Sequence, residues 1–183
     1  KQRSPASVEG VIPEQLSLSD VQAVLRNLLR ERVPIRDLSG ILEVLANTAG
    51  ITRDANILAE AVRQSMANTL SSLYRDETNF LHLVTLSPQL ESTLRGAVAP
   101  SENGPGFQMD AMTAQKVLAR TGEQMERLAQ SGFMPILLCP RELRLAFRRL
   151  VEQALPSLVV LAYSEVSQGT KVRSHGMVDL DQE

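Results

Sequence analysis

The chain has 183 residues, with 19 Lys and Arg against 21 Asp and Glu, four Phe, two Tyr, no Trp and one Cys. A hydrophobic content of 43% at this length is enough to bury a core, which excludes a disordered tail. Charge divides evenly, 10 basic and 11 acidic residues through Pro100 and 9 and 10 after it, which disfavours a polyanion-binding arm and nucleic acid as the main partner. One Cys excludes an internal disulfide, a Cys-rich zinc site and a C-x-x-C redox pair, and suits a reducing compartment.

No stretch approaches the roughly 18 consecutive apolar residues of a membrane span, and no basic-then-apolar signal opens the chain. Because the first residue is Lys1, the expectation is a soluble piece of a longer protein. Residues 1–18, with Pro5, Gly10 and Pro13, read as an irregular lead-in. Ser19 and Gln22 have capping-box spacing, and Val21, Val24, Leu25, Leu28 and Leu29 then form one apolar stripe. Pro34 ends that helix and suits the first turn of the next, whose stripe is Ile35, Leu38, Leu42, Leu45 and Ala49 before Gly50. Thr52 or Asp54 opens a third, with Leu58, Val62, Met66, Thr69 and Leu73 on one face. Residues 19–75 are therefore expected to be a three-helix subdomain.

From Asn79 the pattern changes. Phe80 to Leu86 reads as a strand buried on both faces, and Ser87 and Pro88 cap a short helix carrying Leu90 and Leu94. Residues 96–109, rich in Gly and Pro, are expected to be a mobile loop unable to propagate helix or sheet. Asp110 or Thr113 restarts a helix that ends at Gly132, in the left-handed position. Pro135 to Cys139 is a second strand, Pro140 begins a helix with Leu143, Phe147, Leu150 and Ala154, Ser157 to Ala162 is a third strand, and Thr170 to Val178 a more polar fourth. Strands alternating with helices predict an α/β subdomain over 76–183 with a three- to four-stranded sheet and right-handed crossovers.

Candidate chemistry is sparse. His82, at strand spacing with Phe80, Val84 and Leu86, reads as a partly buried strand residue, and His175 as an exposed one. Cys139 stands before a helix N-terminus, where a dipole lowers a thiol pKa, yet free Cys is usually buried. Cys139, His82 and His175 could converge, although nothing in their spacing requires it. Asp76 and Glu77 read as solvated charge, and the Asn103 to Gly106 stretch lacks the Lys-Ser/Thr end of a phosphate loop. Arg141, Arg144 and Arg148 lie opposite the Leu143 stripe, with Arg149 beside them. They read as a solvated helix face or as a contact for an acidic partner or neighbouring subunit. No catalytic constellation, metal site or cofactor site is assembled, which leans toward an interaction protein.

Segments in both halves of the chain carry a resemblance. The run from Val11 to Glu31, then Val33-Pro34-Ile35-Arg36-Asp37-Leu38 and Ile41 to Ala46, resembles the helical subdomain of the type III secretion export-gate family, which has flagellar and injectisome branches. Pro135 to Cys139 with Arg141, and Leu155 to Val166, are similar to that family's last subdomain. Ala162 and Ser164 depart from its usual Ser and Asn, and Val84 to Glu91 looks flagellar.

The resemblance implies the last two cytoplasmic subdomains of a large inner-membrane protein that is not an enzyme. It implies a homo-oligomeric ring that docks chaperone–substrate complexes and export ATPase or stalk components, alongside other export-gate membrane proteins. Arg36 and Asp37, at the start of the second helix, are the expected interface residues within the matching motif, with a local capping role as the alternative. Other readings are the injectisome branch, an enzyme using Cys139, and a nucleic-acid binder using Arg141, Arg144 and Arg148.

Overall fold

The computed structural model describes residues 16–101 and 104–181. The chain forms two compact units, 1–67 and 68–183, so the division lies eight residues before the expected boundary. The lead-in over 1–18 lies almost wholly outside the described residues.

The first unit contains α1 (Leu18–Arg30), α2 (Leu38–Ala49) and α3 (Ala55–Ser65). The first cap differs from the expected Ser19. Ser17 accepts from the Asp20 amide while the Asp20 carboxylate returns to the Ser17 amide at 2.8 Å, a bond that a carboxylate makes more strongly than the amide of Gln22 would. Arg32 closes α1 in the left-handed region at φ 58, with the Val33 amide donating to the Leu28 carbonyl. Pro34 falls in the connection and does not begin α2, because the Asp37 side chain accepts from the Gly40 amide and caps the helix there. Val24, Leu28, Ile41, Leu45, Leu58 and Val62 are buried.

The third stripe does not continue as one helix. Ser65 turns its hydroxyl back to the Val62 carbonyl at 2.7 Å and is the last residue of α3, with Met66 as the cap. A separate α4 (Ala67–Tyr74) begins, and its buried residues are Leu70 and Ser71 instead of Thr69 and Leu73. Ser71 accepts from the Ser167 amide at 2.8 Å, a contact internal to the second unit.

The second unit follows with β1 (Phe80–Leu86), α5 (Pro88–Ala97), β2 (Val98–Ser101), β3 (Gly104–Phe107), α6 (Ala111–Gln130), β4 (Ile136–Cys139), α7 (Arg141–Val151), β5 (Val159–Ala162) and β6 (Lys171–Val178). Four strands make one sheet in the order β5-β4-β1-β6, and each neighbouring pair is parallel. This is the α/β subdomain expected from the alternation of strands and helices, preceded by the expected helical one. Val84, Leu86, Leu137 and Cys139 face α5, α6 and α7, whose Leu90, Leu94, Val117, Leu128, Leu143 and Phe147 complete the larger core. Leu81, Leu83, Ile136, Leu138 and Leu161 face the other way, where Tyr74 and Val166 pack. Burial on both sides explains why β1 and β4 are apolar without alternation.

The expected mobile loop is instead a hairpin. β2 and β3 pair antiparallel, Val98 opposite Phe107 and Ser101 opposite Gly104, on either side of a two-residue connection outside the described residues. Gly104 takes φ 103, and a Cβ there would stand 2.9 Å from the Arg149 guanidinium, so glycine supplies both the turn and the room. Arg149 donates to the Pro105 carbonyl at 3.0 Å, fastening the hairpin to α7. Local composition marked the turn; main-chain pairing of β2 with β3 makes a ribbon of it, and Arg149 ties that ribbon to α7.

Candidate functional site

Three groups of residues are candidates: the arginines of α7, the start of α2, and a cluster on β1 and β6. Leu143, Phe147 and Val151 anchor α7 in the core, so the remaining positions decide what it offers outward. Arg141 is exposed, but Arg144 is completely buried and donates to the Val160 carbonyl at 3.3 Å. Arg148 is half-buried and donates to the Leu158 carbonyl at 3.0 Å. The expected exposed row of Arg141, Arg144 and Arg148 is thus corrected: two of its three members are turned inward. The reason is positional. β5 is an edge strand whose Val159 amide bonds the Pro135 carbonyl, so parallel pairing aims the Val160 carbonyl outward, where a long donor from α7 can reach it.

At the start of α2, Arg36 and Asp37 are both exposed, and Asp37 is the cap described above. Exposed apolar side chains accompany them in this unit. Ile51 is 85% and Leu18 72% accessible, and Leu29, Leu38 and Ile57 are also exposed. Leu29 was expected in the buried stripe of α1. The helical unit also holds an ion pair that was not expected, Arg63 to Glu31 at 3.3 Å, with the Arg63 side chain 3% exposed. Their separation of 32 positions leaves no local signal for it.

The cluster on β1 and β6 joins three residues that were read separately as bland. His82 Nε2 lies 3.0 Å from the Asp76 carboxylate, and His82 Nδ1 lies 2.8 Å from Nε2 of His175. Phe133 stacks on His82 with ring centres 3.8 Å apart and planes within 6°. Asp76 is held by the turn that precedes β1: its carboxylate also accepts from the amides of Phe80 and Thr78 and from the Thr78 hydroxyl. The Phe80 amide first, then His82, hold the Asp76 carboxyl far below the usual carboxylate range. Asn79, at φ 66, makes that turn possible.

An ionised Asp76 fixes the tautomers. His82 carries its hydrogen on Nε2, so its Nδ1 accepts from Nε2–H of His175, and Nδ1 of His175 keeps a lone pair. A proton arriving at that nitrogen breaks no bond in the chain of groups. Desolvation, then the neighbouring His82 and Arg173, push the His175 pKa below its ordinary value. The arrangement can therefore accept a proton at the accessible His175 and orient it through Asp76.

Cys139 does not join this cluster. It is fully buried at the carboxyl end of β4, within the larger core. His82 and His175 stand 93 positions apart, so no local spacing signals that they meet. Only the parallel register, His82 opposite Arg173, places them together. Among the described residues no group of three or more His, Cys, Asp or Glu is arranged to hold a metal ion, and no helix is long and apolar enough to cross a membrane.

Comparison with known proteins places this geometry in a family. The Bacillus subtilis (strain 168) flagellar biosynthesis protein FlhA is 33% identical over 180 residues, covering 98% of this chain and 27% of the relative. Among solved structures, Chlamydia pneumoniae CdsV from its complex with CdsO superposes with a TM-score of 0.85 at 24% identity, over 96% of this chain and 51% of that one. The nonameric SctV-C of EPEC does so at 0.84 and 23%, over 94% and 52%. The chain thus spans about a quarter of the length of the curated relative and half of the solved ones. The sequence model of the FHIPEP family matches residues 1–171, ending where β6 begins. With the match extending over both units, the chain belongs to the FHIPEP family, to which its helical and α/β segments bore their resemblance.

Proposed function

We propose that the chain is part of the cytoplasmic portion of a type III protein export gate of the flagellar branch. In this reading it helps form a homo-oligomeric ring under the inner membrane and does no bond-making chemistry. The ring docks chaperone-bound export substrates and components of the ATPase stalk, alongside other membrane proteins of the gate. The observation that carries the reading is the family match across both units, joined to a similar chain solved as a nonamer and another solved with a second protein, CdsO. Flagellar relatives at 29–33% identity support the branch, whereas the injectisome structures at 21–24% speak to fold.

Subunit packing falls to the helical unit in this proposal. Its exposed Leu18, Leu38, Ile51 and Ile57 are larger apolar groups than a free surface needs, and Arg36 and Asp37 border Leu38 in sequence. Arg141 and the accessible part of Arg148 are the docking contacts of α7, whereas Arg144 is internal. The full burial of Cys139 opposes a thiol nucleophile, and the inward bonds of Arg144 and Arg148 oppose a DNA-binding arginine face. Weak individual contacts multiplied around a ring would suffice for exchangeable docking.

The test is motility and secretion in the source bacterium carrying Ile51→Asp in the full-length protein, with native mass spectrometry of the purified cytoplasmic portion. Loss of the ring and of filament export, with a normal unfolding curve, is expected. A full-sized ring and normal export would sink the assignment of this face. Absence of binding between the wild-type portion and its own chaperone–substrate complexes and stalk protein would sink the docking reading.

A further inference from the structure

The two edges of the four-stranded sheet are finished differently. At the β5 edge the outward carbonyls of Leu158 and Val160 receive Arg148 and Arg144. At the β6 edge no such cover is present among the described residues: β1 is the only strand paired with β6, and Lys171 to His175 and Met177 are exposed. The Lys171 amide bonds the Asn79 carbonyl, so the parallel ladder turns the main-chain groups of Lys171 and Arg173 toward β1 and those of Val172 and Ser174 outward. The Ser174 hydroxyl donates to the Gly176 carbonyl at 3.0 Å, and the register shifts there, which closes the open stretch at its carboxyl end.

The two faces of that edge have opposite chemistry. Lys171 and Arg173 lie on the side of Phe80 and His82, with both cations over the Phe80 ring at 5.2 and 4.6 Å from its centre, and His175 continues the row. Val172 and Met177, both 43% accessible, lie on the other side with Leu81 and Thr85. β6 contains no acidic residue, whereas Asp179 and Asp181 follow its carboxyl end. Asp76, the acidic group beside His82, has its oxygens engaged by four donors. Gly176 leaves room for Gln124 of α6, whose side chain would meet any Cβ there, so the basic face is open along 171–175 and covered beyond it.

We propose that the outer edge of β6 takes an extended partner segment in which acidic and apolar residues alternate. The segment adds as a further strand: its main chain bonds Val172 and Ser174, its carboxylates face Lys171 and Arg173, and its apolar side chains cover Val172 and Met177. A second copy of β6 is disfavoured because it would set Lys and Arg against Lys and Arg. The inference goes beyond the ring reading and stands without it.

The probe is a blocked heptapeptide of alternating glutamate and valine, titrated into the isotope-labelled chain, with alternating lysine and valine as control. The acidic peptide is expected to bind, to slow hydrogen exchange of the Val172 and Ser174 amides, and to lose about tenfold in affinity with Arg173→Gln plus Lys171→Gln. Lys116→Glu, an exposed charge change on α6, leaves affinity unchanged. Val172→Pro deletes an outward donor without touching a bond to β1, and is expected to weaken binding about fivefold in a chain whose other amide signals are unmoved. Three results would overturn the proposal: no binding by the acidic peptide, binding indifferent to Val172→Pro with no amide protection, or peptide-free dimers in which those amides are already protected.

Discussion

At the β5 edge, guanidinium groups from α7 reach the outward main-chain carbonyls, while at the β6 edge the cations stay on the face, over an aromatic ring. Both edges carry Arg, yet in one place it completes the fold and in the other it leaves the backbone open. The difference follows from what lies beside each strand. β5 is flanked by a helix whose apolar stripe is already fixed in the core, so Arg144 has no route to water and donates to the Val160 carbonyl inside the fold. β6 has Phe80 and His82 as lateral neighbours, and Lys171 and Arg173 gain more by resting on Phe80 while remaining hydrated. An arginine pattern on a helix is therefore no guide to docking until the position of the nearest strand edge is known.

The largest break in this contrast comes from Arg144→Met, which keeps volume and removes the donor to Val160. The unfolding free energy in urea is expected to fall by about 2–4 kcal/mol, because the loss removes a buried charge-assisted hydrogen bond and disturbs the core. A fall under about 1 kcal/mol would show that Arg144 is merely accommodated there. Arg148→Met, at a half-buried position, is expected to cost about 1 kcal/mol by the same measurement. Arg173→Gln on the opposite edge is expected to stay within about 0.5 kcal/mol of the parent, as a surface change. Equal costs at Arg148 and Arg173 would erase the distinction between the edges.

A pH effect sharpens the β6 side. His175 has a folded pKa below its unfolded value near 6.5, so the unfolded chain binds that proton more readily and stability declines as pH falls from about 6.5 toward the folded pKa. Asp76 acts in the same direction at lower pH: its contribution is present above the unfolded pKa near 3.8 and disappears as pH falls below it. His175→Gln is expected to flatten the first part of the decline and leave the second, read from urea midpoints across pH. An unchanged slope between pH 7 and 5 would remove His175 from the titration. NMR of the imidazole signals is expected to give a His175 midpoint below 6.5.

Periodicity and turn chemistry made much of the architecture legible. Ser87 with Pro88, Asp54 and Asp110 cap the helices that their residue types suggested, and Gly132 takes the left-handed position at φ 81. Leu58 and Val62 were legible because one apolar face at helical spacing has one place to go, and β1 because an unbroken apolar run needs cover on both sides. Where local signals competed, the reading failed. Ser19 and Ser17 both offered a cap, and the carboxylate of Asp20 decided between them. The stripe through Thr69 and Leu73 was broken at Ser65 and Met66, where no Gly or Pro gave warning.

The amino-acid sequence by itself determined two subdomains of different class, the alternation that makes the sheet, and the export-gate resemblance that the family match bore out. These depend on local spacing and on motifs that remain visible however the chain is arranged. Tertiary structure alone decided that Arg144 faces inward, that Arg149 fastens a Gly- and Pro-rich hairpin, and that Asp76, His82 and His175 form one hydrogen-bonded line. Each is a contact between residues far apart in the chain or across a strand pair, and its existence depends on register: a one-residue slip between β1 and β6 would send the histidines to opposite faces.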